Sequence, residues 1–75
     1  MDPINAVAAQ VVRDAIHEAR TTQSSVLRGA AIAPTTWRHR MRGDRPFTLV
    51  ELARIAQHLG LPSSSLVTEI LERAA

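Results

Sequence analysis

Seventy-five residues without a single cysteine leave few ways to build a stable fold. A chain this short buries only a modest core, and the usual reinforcements are disulfides, a metal or a second subunit. The first is impossible here, so tight helix packing and dimerisation remain. The length allows one domain over residues 1–75. Its apolar residues are mostly Ala, Val, Leu and Ile, with one Trp, one Phe and no Tyr, and an aliphatic core of this kind suits packed helices.

The pattern along the chain agrees. Ile4, Val7, Ala8, Val11, Val12, Ala15, Ile16 and Ala19 follow the i, i+3, i+4, i+7 spacing of a first, long helix, with Arg13, Asp14 and Glu18 off the stripe. Asp2 is placed to cap it, and Pro3 at the first helical position has no amide hydrogen to leave unpaired. Thr22 caps a second, short helix from Gln23 to about Ala31, with Val26, Leu27 and Ala30 inward. Pro34 opens a third, through Trp37 to Arg42, which Gly43 ends. The stretch Gly43-Asp44-Arg45-Pro46-Phe47 is a loop, because proline disfavours helix in the residue before it. Thr48 and Glu51 then have capping-box spacing, ahead of Leu49, Leu52, Ala53, Ile55, Ala56 and Leu59 in a fourth helix closed by Gly60. The run Ser63 to Ser65 offers a cap for a fifth, patterned by Leu66, Val67, Ile70 and Leu71 to about Arg73. No strand is needed, and the expected fold is all-α with five helices.

Charge is distributed unevenly. Arg38, Arg40, Arg42 and Arg45 against Asp44 give +3 within eight residues, while the rest of the chain sums to −1. A local basic focus is what a polyanion-binding site requires. Other chemistries lack their signatures. His17, His39 and His58 are about twenty residues apart on three predicted helices, without metal-ligand spacing, so no metal or cofactor is expected. There is no nucleophile elbow, phosphate-binding glycine loop or juxtaposed acid pair, so an enzyme is not expected. No apolar run approaches a membrane span and no basic leader precedes one, which places the chain in the cytoplasm.

From Thr22 to Gly43 the chain resembles, without a gap, the helix-turn-helix of the Cro/lambda-repressor-like family, also called the xenobiotic-response-element family. The residues that carry the likeness are Thr22-Gln23, Ser24-Ser25, Val26-Leu27, Ala31, Ile32-Ala33, Trp37 and Gly43. Pro46, the Leu49 to Ala56 helix and Leu59-Gly60-Leu61 resemble the family's fourth helix and its exit, so that about residues 22–71 are covered. The resemblance implies five helices with helices 2 and 3 as the motif. It implies that Ala31 is small because the two helices approach at the turn, that Ile32 is buried beneath it, and that Trp37 anchors the third helix. Alanine stands at the turn where glycine is common, and on this reading needs no left-handed backbone. Arg40 stands where the family usually has an apolar residue and Met41 where it often has Glu, so the buried line runs through Trp37 and either residue 40 or Met41.

By that resemblance the third helix enters the major groove of double-stranded DNA, with Pro34, Thr35, Thr36, Arg38 and His39 facing the bases. Threonine methyls meet thymine methyls, and Arg38 can give guanine two hydrogen bonds. Gln23 matches the family position that grips a phosphate, and Arg40, Arg42 and Arg45 add backbone contacts that set register without reading sequence. The function implied is a phage or bacterial transcriptional regulator, a repressor or Cro-like protein, acting as a homodimer on an inverted repeat. The C-terminal helix is the favoured dimer surface, with the first helix as the other candidate. The competing reading is a protein-interaction module, such as an antitoxin or a polymerase-binding adaptor, whose arginines meet an acidic protein partner.

Overall fold

The computed structural model describes residues 3–75; Asp2, the expected cap of the first helix, lies outside them. Among the described residues the chain is five helices and no strand: α1 (Pro3–Glu18), α2 (Gln23–Gly29), α3 (Pro34–Met41), α4 (Leu49–His58) and α5 (Ser65–Ala74). None is long and apolar enough to cross a membrane.

Two helix starts follow the sequence signals closely. Thr22 Oγ1 accepts the Ser25 amide at 3.1 Å to begin α2. Thr48 Oγ1 accepts the Glu51 amide at 3.0 Å while Glu51 Oε1 accepts the Thr48 amide at 2.9 Å, a full capping box on α4. The serine run behaves differently from expectation. Ser64, which precedes α5, makes no side-chain cap, because its backbone (φ −91°, ψ −3°) is already helical rather than extended as a cap requires; Ser63 Oγ accepts from Gln57 Nε2 at 2.9 Å, and the buried Ser65 hydroxyl makes no hydrogen bond within the protein.

The first four helices all end in one kind of turn. Arg20, Ala31, Gly43 and Gly60 have φ of 55°, 57°, 79° and 75°, and the amide one residue further on reaches back five residues in each case. Thr21 bonds the Ile16 carbonyl, Ile32 bonds Leu27, Asp44 bonds His39 and Leu61 bonds Ala56, at 3.3, 2.9, 3.1 and 2.8 Å. This is the Schellman arrangement, for which a left-handed residue is required. Ala31 therefore does adopt the left-handed backbone that the sequence reading held unnecessary. The reason is Ile32, which must turn inward at once to reach the core, where it is 6% exposed. Burying an isoleucine side chain is worth about 1.5–3 kcal/mol, more than the roughly 1–2 kcal/mol that a left-handed L-residue costs. The small residue held in the interior at this corner is Ala30, with no exposure, while Ala31 itself faces outward.

The core is a single aliphatic cluster. Val11 and Val12 of α1, Val26 of α2 and Ile55 of α4 are fully buried at its centre. Helix α1 packs against α2, α3 and α5, and α4 packs against α2 and α5. The Trp37 and Phe47 rings meet edge to face with centroids 6.0 Å apart, which brings the loop after α3 onto the core.

Candidate nucleic-acid interface

The orientation of α3 is fixed by what it buries. Trp37 and Met41, four residues apart and so on one face, are both buried, which settles the inner line in favour of Met41 rather than residue 40. Three polar ties lock that packing. Trp37 Nε1 donates to Gln23 Oε1 at 2.9 Å, joining α3 to the start of α2. Arg13 of α1 donates to the Met41 carbonyl at the end of α3 at 3.2 Å. Arg40 lies between the inner and outer faces and pairs with Glu51 through two hydrogen bonds, 2.9 and 3.2 Å.

Arg40, expected to contact a phosphate, has its guanidinium held by Glu51 in the structure. Its side chain is only 18% exposed and that of Glu51 14%. Releasing Arg40 to a phosphate would leave a poorly solvated carboxylate behind. Burial pushes the Glu51 carboxyl up, but the Arg40 hydrogen bond and the Thr48 amide outweigh it, and its pKa lies below the ordinary value. Glu51 thus serves at once as the cap of α4 and the anchor of α3.

What α3 presents outward is the remainder of the expected set. Pro34, Thr35 and Arg38 are exposed, and Thr36 and His39 are half-buried. Ala33 offers no side-chain cap to the head of the helix. Among the described residues, Arg38 and Arg45 have no side-chain hydrogen-bond or ion-pair partner. Arg42 pairs with Asp44 at 2.7 Å, and His39 Nδ1 lies 3.8 Å from the same carboxylate. Both members of the Arg42 pair are well exposed, and such a pair is worth little, roughly 0–1 kcal/mol, so Arg42 can exchange Asp44 for another anion. Gln23 keeps its amide nitrogen, but its carbonyl is committed to Trp37.

Two residues at this face escaped the sequence reading. Glu51 was legible as a cap but not as the partner of Arg40. Arg13 looked like one more solvated charge on the polar side of α1; only the packing of α1 on α3 brings it beside Met41. The three histidines stand on α1, α3 and α4, and among the described residues no group of three or more His, Cys, Asp or Glu side chains could hold a metal.

Comparison of the chain with protein-family models, with curated proteins and with solved structures finds no match in any of the three.

Proposed function

We propose that this chain is a sequence-specific double-stranded DNA-binding regulator of the Cro/lambda-repressor-like, helix-turn-helix kind, with α3 as its recognition helix. The observation that carries the reading is the division of α3 into two faces. Trp37 and Met41 are buried and tied in place, while Thr35, Arg38 and Arg42, at helical spacing, form an exposed stripe that contains an unpaired guanidinium. A rigidly held helix of eight residues with a donor-rich outer face is suited to the major groove, which admits one helix and presents acceptors on guanine.

Reading an inverted repeat requires two copies with their recognition helices about 34–36 Å apart. A body of 27 × 25 × 20 Å reaches that separation when two copies meet away from α3. The surface we assign to the second copy is the apolar groove of ≈ 200 Å³ between α1, α4 and α5, lined by Phe47, Leu52 and Ile70 and bordered by the exposed Leu49 and Leu71. The alternative is a protein-interaction module, in which the same helical scaffold docks onto a protein partner and the arginines of α3 and its following loop meet an acidic surface.

The test is fluorescence anisotropy with the duplex upstream of the protein's own gene and with a scrambled duplex, each at two salt concentrations. The expected result is tight, salt-sensitive binding that prefers the native duplex, with Arg38→Ala losing about 1–3 kcal/mol of discrimination at one base pair. Absence of binding to any duplex at low salt would overturn the reading in favour of a protein partner.

A further inference from the structure

A groove of ≈ 380 Å³ runs along α3 where it meets α1 and α2. Its lining includes three arginines, Arg13 of α1, Arg38 of α3 and Arg42 just past the end of α3, together with Gln23 and Trp37, and no carboxylate. The hydrogen-bonding capacity of this lining is one-sided. An indole nitrogen can only donate, so Gln23 must turn its carbonyl to Trp37, as the 2.9 Å bond shows, and is left with its two amide hydrogens. The Met41 carbonyl is taken by Arg13. Arg13 spends two of its five donors, on Met41 and on Gln10, Arg42 spends two on the exposed Asp44, which lies outside the lining, and Arg38 spends none. Every side-chain group still uncommitted in the groove is therefore a donor, most of them cationic, and the ligand that satisfies such a lining is one that only accepts.

We propose that this groove is an oxyanion site that takes one phosphate group, and that Arg13 of α1 is one of its ligands alongside Arg42 and Gln23, with Arg38 at its rim left to the bases. The site rests on the DNA-binding reading only for the source of the phosphate, which on that reading is the duplex backbone rather than free phosphate. It extends the contact surface beyond α3 and its following loop to the first helix.

Two measurements separate the site from the source. First, isotope-labelled protein is titrated with inorganic phosphate against ionic-strength-matched chloride, following the Trp37 indole N–H by NMR. The expected result is a saturable shift with phosphate that chloride does not reproduce, and a Kd raised about tenfold or more in Arg13→Gln, as loss of a hydrogen bond to a charged group implies. Second, duplex affinity is measured against salt. Neutralising a phosphate ligand lowers the slope of log K on log salt by about one, whereas a merely structural loss of the Arg13 to Met41 bond weakens binding at every salt with the slope unchanged. Thermal melts of Arg13→Gln and Arg13→Lys establish that both variants fold, and Arg13→Lys, which keeps the charge, should keep the slope. Saturable phosphate binding without duplex binding would support the site and remove DNA as its source. Duplex binding with an unchanged slope in Arg13→Gln, and a phosphate titration indistinguishable from chloride, would overturn the site while leaving the DNA reading in place.

Discussion

Replacing Ala31 with glycine should make this protein more stable, contrary to the usual cost of glycine next to a helix. Ala31 has φ of 57°, a conformation that costs an L-residue about 1–2 kcal/mol and glycine almost nothing. Its methyl is exposed, so no packing is lost. Against the relief stands the greater freedom of glycine in the unfolded chain, about 0.4–1 kcal/mol, which leaves a net gain of about 0.5–1 kcal/mol. For a domain of this size that is an increase in Tm of roughly 2–8 °C, readable by circular dichroism at 222 nm with urea unfolding as a second measure. The adjacent position supplies the control. Ala30 is fully buried with φ of −88°, so Ala30→Gly loses a buried methyl, about 0.8 kcal/mol, and about 0.5–1 kcal/mol of backbone entropy. Gly60→Ala supplies the converse: its φ is 75° and nothing lies within 4 Å of the added Cβ, so any loss reports backbone strain alone. A Tm for Ala31→Gly that is unchanged or lower would refute the argument, because it would mean that residue 31 does not hold a left-handed conformation in solution.

Acid should weaken the fold through Glu51. Its folded pKa lies below the ordinary value of 4.5, so in the interval between the two the unfolded chain binds a proton that the folded chain does not. The stabilisation is therefore present above pH 4.5 and is lost as pH falls through the folded value. Tm measured from pH 7 to pH 3 should fall in that window, and Glu51→Gln, which preserves a capping box without titrating, should flatten the profile; an unaltered profile would remove Glu51 as its cause. At the apolar groove, Leu71→Glu places a charge on a side chain that is 59% exposed. Sedimentation should then show monomer in place of dimer with the thermal melt little changed, and identical sedimentation of the two proteins would count against this surface.

The parts of the fold that were legible in the sequence are those set by neighbours along the chain. Thr22, the pair Thr48 and Glu51, and the glycines 43 and 60 act within a few residues of themselves, so their types and spacing suffice. Trp37 was readable as an anchor because a large aromatic on a short helix has to be buried. The ties that aim α3 were not readable, since Arg40 meets Glu51 eleven residues on and Arg13 meets Met41 at a separation of 28, and nothing local distinguishes those arginines from solvated ones. Ala31 misled for a related reason: its backbone is dictated by where Ile32 must go, a requirement of the core rather than of alanine. The serine run misled because Ser64, at the cap position, has helical rather than extended backbone, which a serine's identity does not reveal.

The partnership of the first and last helices bears on when the protein comes into being. Helix α1 packs against α5, and Arg73 joins Asp14 across 59 residues of sequence. During synthesis from the N-terminus, α1, α2 and α3 are made before α5, so the flank of α1 that α5 covers stays uncovered until residues 65–74 have left the ribosome. Local helices form in about a microsecond, so they wait on translation rather than on search. Helix α3 is spelled out between α1 and α5, and the body behind it closes only when α5 arrives.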